Sequence, residues 1–194
     1  LLEALARRGK LPFGDEVEQL RGRVALLRRH LGDAWPDWSD GALLATLDIW
    51  LGPYLDDIKR LDELERLPFE RILLDRLDWS LRTRLDELAP GRLEVPSGSR
   101  IRLDYRGETP VLAVKLQEVF GWQQALRLVE GRVAPRLHLL SPARRPLQVT
   151  EDLASFWVNA YSEVRKEMRG RYPKHPWPED PLTSPATART KRRG

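Results

Sequence analysis

The sequence predicts an α+β protein, with helices in its first half and a small β module in its second. Three observations carry that reading. Apolar residues recur at spacings of three and four through residues 1–90, the signature of amphipathic helices. After Gly91 the spacing changes to two, the signature of half-buried strands. From Gly170 the chain turns rich in proline and keeps neither period.

Val17, Leu20, Val24, Leu27 and Leu31 form one stripe of a first long helix. Asp15 is its expected N-cap, with Glu18 as capping-box partner, and Gly32 its stop. A second helix is expected after Ser39. Its Leu43, Leu44, Leu47, Ile49, Trp50 and Leu51 cover more than one face, which places it centrally, and Gly52-Pro53 ends it. Shorter helices follow at 61–67 and 69–77, with Pro68 between them, and Asp78 opens another that turns Leu81, Leu85 and Leu88 inward.

Five strands follow. Leu93 and Val95 alternate with Arg92 and Glu94, and Ile101, Leu103 and Tyr105 alternate with Arg100, Arg102 and Asp104. Pro96-Ser97-Gly98-Ser99 is the turn between them. Val111 to Leu116 is a more continuous apolar strand, Leu137 and Leu139 mark a fourth, and Leu147 and Val149 a fifth. One helical turn is expected at 117–121 between the third and fourth. Thr150 is the expected N-cap of a helix over 151–168, with Leu153, Phe156, Trp157 and Val164 inward. The expected fold is thus a helical bundle (1–90), then a five-stranded antiparallel module, OB-like or another small barrel or sheet, closed by a helix and a Pro-rich strap (91–182). A disordered basic tail (183–194) ends the chain. No internal repeat is visible.

The 194 residues include no cysteine, which removes disulfides, thiolate nucleophiles and Cys-type zinc or iron–sulfur sites. The longest apolar stretch, Gly41 to Leu47, is far shorter than the ~20 residues of a membrane-spanning helix. Leu1 in place of a methionine implies a fragment of a longer protein. The net charge of +4 is uneven: residues 1–140 hold 22 Lys/Arg and 23 Asp/Glu, residues 141–194 hold 11 and 6. A basic segment favours a polyanion such as nucleic acid; a solvated tail is the alternative.

Catalytic motifs are missing where they would be needed. A phosphate-cradling loop ends in Gly-Lys-Ser/Thr, whereas the one Gly-Lys pair, Gly9-Lys10, is followed by Leu11. Asp15-Glu16, Asp62-Glu63 and Asp86-Glu87 all lack the histidine of an Asp-Glu-x-His magnesium motif. Ser97-Gly98-Ser99 lies between two strands, where a serine-hydrolase elbow would lie between strand and helix. No catalytic, cofactor-binding or metal residue is assigned.

The basic residues are the candidates. Arg100, Arg102 and Arg136, with Arg92 and His138, take the outward phase of the strands, forming either a phosphate-binding face or an ordinary charged surface. Arg144 and Arg145 precede the last strand, Arg165, Lys166, Arg169, Arg171 and Lys174 lie in the closing helix and its exit, and Arg189, Lys191, Arg192 and Arg193 in the tail. Tyr172 and Trp177 interleave with them. That mixture suits stacking on single-stranded nucleic acid, or a strap whose aromatics pack on the domain.

The stretches HLLSPARRPLQVTEDLASFW (138–157) and GRYPKHPWPEDP (170–181) resemble the C-terminal region of bacterial HrpB ATP-dependent helicases. So do WLGPYL (50–55), VPSGS (95–99) and LQEVFG (116–121). The resemblance implies a DEAH-type, RNA-associated, cytoplasmic parent whose motor binds ATP and magnesium upstream of this region. The chain itself would hold no cofactor and no ATPase activity. It would dock in cis on the motor, adding weak, salt-sensitive RNA affinity, or act as a structural module that docks on the motor or recruits a partner protein.

Overall fold

A computed structural model describes residues 2–58 and 60–189. The chain divides between Ala89 and Pro90 into two compact units.

The first unit is helical: α1 (Leu2–Arg8), α2 (Asp15–Leu31), α3 (Asp40–Ala45), α4 (Leu47–Trp50), α5 (Phe69–Leu74) and α6 (Trp79–Leu88). Two 3₁₀ turns, Gly52–Tyr54 and Leu61–Arg66, lie between α4 and α5. Of the expected stripe of α2, Val17, Leu20, Val24 and Leu27 are buried, and Leu31 at the helix end is half-buried. The expected cap shifts by one residue. Gly14 is the N-cap and Asp15 the first helical residue, where its carboxylate still faces the positive end of the helix. The single helix expected after Ser39 is broken at Thr46, whose hydroxyl donates to the Ala42 carbonyl (2.9 Å). The break leaves Ile49 exposed while Trp50 is buried, its indole N–H bonded to the Leu43 carbonyl (2.9 Å). Phe13 and Phe69 meet edge to face at 5.2 Å, with Trp50 at 6.2–6.4 Å from both. Such pairs add about 0.5–1.5 kcal/mol each beyond their buried area.

The second unit carries a sheet in the order β1 (Arg92–Glu94), β2 (Arg100–Asp104), β3 (Val111–Lys115), β4 (Arg136–Leu140), β5 (Pro146–Thr150). Its edges, β1 and β5, stay apart, so the sheet is open rather than a barrel. It is also mixed where a wholly antiparallel module was expected: β3 and β4 run parallel, Val111 beside Arg136 through Lys115 beside Leu140. A parallel pair needs a long crossover. Residues 116–135 supply it, through a 3₁₀ turn (Leu116–Val119) and an isolated bridge between Leu128 and Val133. The inward phase, Leu103, Leu112, Val114, Leu137 and Leu139, is buried as the alternation requires.

The closing helix is two helices, α7 (Leu153–Asn159) and α8 (Tyr161–Arg171). Asp152, not Thr150, caps α7, accepting from the Ser155 amide at 2.9 Å. The break falls at Ala160; Trp157 and Tyr161 on either side of it meet edge to face at 5.4 Å, and Phe120 and Phe156 complete the cluster.

The strap packs on the unit. Trp177 is 7% exposed and its indole donates to the Tyr172 carbonyl (2.8 Å). Tyr161 Oη donates to the Pro178 carbonyl (2.8 Å) and Arg165 Nε to the Trp177 carbonyl (3.0 Å). The amide of Gly121 donates to the Pro181 carbonyl (2.8 Å), and its φ of +77° lies in the left-handed region that a side chain would strain. Residues 183–189, expected to be disordered, are held here. Gln117 is buried, and its carbonyl accepts from the Thr187 amide (3.0 Å) while its side chain donates to the Arg189 carbonyl (3.3 Å). A buried amide requires such partners. Residues 190–194, with the expected tail cations Lys191, Arg192 and Arg193, lie outside the described residues. No helix of the described residues is long and apolar enough to cross a membrane.

Candidate nucleic-acid interface

The hairpin between β4 and β5 builds the first cationic cluster. The Ser141 carbonyl accepts from the Arg144 amide and the Arg145 carbonyl from the Ser141 amide, both at 2.8 Å. The Ser141 hydroxyl also accepts from the Arg145 amide (3.1 Å). Arg144 closes this turn at φ +61°, a left-handed conformation uncommon for a non-glycine residue. Both arginine side chains are exposed.

The same Ser141 hydroxyl lies 3.4 Å from Tyr172 Oη. One small side chain thus ties the turn carrying Arg144 and Arg145 to the exit of α8, which carries Arg169, Arg171 and Lys174. By register Lys115 stands beside Leu140, at this end of the sheet, and continuing the β2–β3 pairing brings Arg100 to the same end. Lys115 was missed as a candidate because Val111–Leu116 reads as an apolar strand. The alternation that exposes Val111 and Ala113 more than Leu112 and Val114 also turns Lys115 outward.

The candidates differ in how free they are. Among the described residues, Arg100, Arg144, Arg145, Arg169 and Lys174 have no carboxylate in ion-pair range. Lys166 pairs with Glu163 (3.5 Å) and Arg171 with Glu167 (3.2 Å), both on the exposed face of α8. Exposed pairs are worth about 0–1 kcal/mol, so a phosphate can replace the carboxylate. Arg136, at the far end of β4, pairs with Glu151 (3.3 Å). Arg165 is different: it is mostly buried, holding the Trp177 carbonyl and Glu179 (3.3 Å), and so serves the strap. Arg102 is half-buried, opposite Arg92 on β1. Arg189 is exposed at the end of the described chain.

His175 lies on the strap, its Nδ1 3.1 Å from Gln117 Oε1 and its ring edge-on to Tyr172. Burial, and then the charge of Lys115, hold its pKa below the usual imidazole value, so near neutral pH it adds no charge to the cluster.

A family model described as ATP-dependent helicase C-terminal matches residues 50–181. The chain is 46% identical over 179 residues to the ATP-dependent RNA helicase HrpB of Escherichia coli K12, covering 91% of this chain and 22% of that protein. Two crystal structures of E. coli HrpB match. One, described as a DExH-box NTPase, has a TM-score of 0.87 at 43% identity, covering 98% of this chain and 24% of that one. The other, described as a DEAH/RHA helicase, has a TM-score of 0.74 at 42% identity, covering 91% and 23%. The chain therefore spans about a quarter or less of the length of these relatives. By the family match, the sequence identity and the structural likeness together, the chain belongs to the family of C-terminal domains of HrpB-type ATP-dependent helicases.

Proposed function

We propose that the chain is an accessory module that adds RNA affinity to a helicase motor. The observation that carries this reading is the group of exposed cations without carboxylate partners among the described residues, Arg144 and Arg145 on the hairpin with Arg169 and Lys174 at the α8 exit, linked through Ser141 and Tyr172. Cations paired with carboxylates must first give up that weak pair; unpaired ones meet phosphate at no such cost, and each contact releases counterions from the RNA. The likeness to a protein named as an ATP-dependent RNA helicase supports RNA as the polyanion. ATP, magnesium and hydrolysis belong to the motor of the parent protein, and the compartment is the cytoplasm. Purified chain is expected to show no ATP turnover in a phosphate-release assay. Turnover that scales with its concentration and is lost on denaturation would contradict this.

Binding of this kind is weak and sequence-tolerant, with a dissociation constant on the order of 10⁻⁴ to 10⁻⁶ M at physiological salt. Fluorescence anisotropy of a labelled single-stranded RNA at two salt concentrations tests it. The affinity is expected to fall steeply with salt, and deleting residues 183–194 to flatten the slope. Absence of RNA binding at both salt concentrations supports the second reading, a module that docks on the motor or on a protein partner. Val149 and Val158 favour that reading, since they are 51% and 82% exposed on the β module and apolar contacts are insensitive to salt.

A further inference from the structure

The crossover between β3 and β4 contains a loop, residues 121–127, that the cationic clusters do not include. Two recesses open on it. One, of about 220 Å³, is lined by Trp122, Gln123, Gln124, Arg127, Glu151 and Asp152 among others. The second is wider and more open, and Glu94, Val95, Pro96 and Gly121 line it together with Trp122, Gln123 and Gln124. Trp122 and the two glutamines are thus common to both.

The Trp122 main chain is fixed on both sides. Its amide donates to the Val119 carbonyl (3.1 Å), and its carbonyl accepts from the Trp157 indole (2.9 Å). Its own ring is only half-buried. Gln123 and Gln124 are exposed, and among the described residues their side chains have no hydrogen-bond partner. Arg127 is exposed with no carboxylate partner there. The small recess is below the ~300–1,000 Å³ of a drug-sized ligand site and suits one planar ring system. Glu151 and Asp152 on its wall, engaged by Arg136 (3.3 Å) and the Ser155 amide (2.9 Å), disfavour a phosphate inside it. They do not disfavour a neutral heterocycle with N–H donors.

We propose that the Trp122 loop is a base-stacking site that takes one unpaired nucleobase of single-stranded RNA. The indole is the stacking face. The Gln123 and Gln124 amides, each both donor and acceptor, meet the base edge. Arg127, and Arg100 just past the 96–99 turn beside the second recess, meet the flanking phosphates. An aromatic platform between cations is the arrangement that holds single strands with little sequence preference. The assignment rests on the RNA-binding reading above and adds to it where one base sits.

The test uses the full 194-residue chain and a single-stranded RNA carrying photoreactive 4-thiouridine. Crosslinks mapped by mass spectrometry are expected within residues 122–127. Trp122→Ala is expected to weaken single-strand binding about 5- to 150-fold. The Gln123→Ala/Gln124→Ala double variant removes only exposed side chains. It is expected to keep the parent melting temperature and to weaken binding about 2- to 10-fold. Arg127→Gln should reduce the salt slope by about 0.7. If Trp122→Ala fails to fold, the glutamine variant and the crosslink map still decide. A chain that binds no RNA overturns both the RNA reading and this site. A chain that binds RNA at full strength in the glutamine variant, with crosslinks only on the hairpin and α8, overturns this site alone.

Discussion

Three arginines of the helical unit and the exposed cations of the β module's hairpin and α8 are used in opposite ways. In the helical unit, Arg21 is 12% exposed and holds the Trp38 carbonyl (2.8 Å), both Glu18 oxygens (3.1 Å) and Asp40 (2.8 Å), with its guanidinium 5.1 Å over the Phe13 ring. Arg23 holds the Ala89 carbonyl (2.6 Å), the Leu85 carbonyl (3.3 Å) and Asp86. Arg28 reaches the Trp35 carbonyl (2.7 Å) and Asp33 (2.9 Å). These side chains join segments that helix propensity alone would leave loose. In the β module, Arg144, Arg145, Arg169 and Lys174 stand exposed without carboxylates among the described residues. The difference teaches that a count of basic residues says little about a polyanion partner. What matters is whether the fold has already given each cation an acceptor.

The largest expected effect lies in the strap. Trp177→Ala removes a buried indole and its hydrogen bond, and is expected to cost about 3–5 kcal/mol by denaturant titration. RNA affinity of the folded fraction should barely move. Loss of affinity by the ~1–3 kcal/mol of a base stack, with unchanged stability, would turn the strap into a binding platform.

Next comes the contrast between arginines. Arg21→Ala is expected to cost about 1.5–3 kcal/mol, the range for hydrogen bonds to a charged group, and to leave the salt dependence of RNA binding as it was. Arg144→Gln with Arg145→Gln is expected to do the reverse: stability within ~0.5 kcal/mol of the parent, and a log–log salt slope smaller by about 1.4. If the pairs of variants behave alike, the comparison between the units fails.

A smaller effect is expected from Tyr161→Phe, which deletes the hydroxyl that donates to the Pro178 carbonyl (2.8 Å). The loss should be about 1 kcal/mol in a melting experiment. Burial raises the pKa of this phenol, so the bond persists through the accessible alkaline range.

The smallest effect concerns pH. The folded pKa of His175 is lowered from 6.5, by burial first and by Lys115 second. Above 6.5 the imidazole is neutral folded and unfolded alike. As pH falls below 6.5 the unfolded chain takes up the proton first, so stability declines until the lowered folded pKa is passed, then levels. His175→Gln should flatten that step in melting temperature measured from pH 7.5 downward.

Much of this architecture is legible in the residues, and the gaps have physical causes. The alternation of Ile101, Leu103 and Tyr105 or of Leu137 and Leu139 places the strands, because one face must be buried. It cannot tell parallel from antiparallel pairing, since inward and outward phases are the same in both, and β3–β4 escaped for that reason. The break at Ala160 had no local signal, because alanine is the best helix former. The partner beside it that a local reading cannot supply is distant in sequence: the Trp157 indole donates to the Trp122 carbonyl. Among the candidate cations, spacing revealed which were outward but not which had acceptors. Arg165 lies within a turn of Lys166 and Arg169, yet its acceptors, the Trp177 carbonyl and Glu179, come from 12 and 14 residues on.

The central claim is that the unpaired cations of the β module bind RNA phosphates. Replacing Arg144, Arg145, Arg169 and Lys174 together by glutamine and measuring RNA affinity across salt tests it most directly. The account predicts a folded chain whose log–log slope is shallower than the parent's by about 3, the single-strand value for four phosphate contacts. A slope and affinity equal to the parent's, in a variant with the parent's melting temperature, would contradict it.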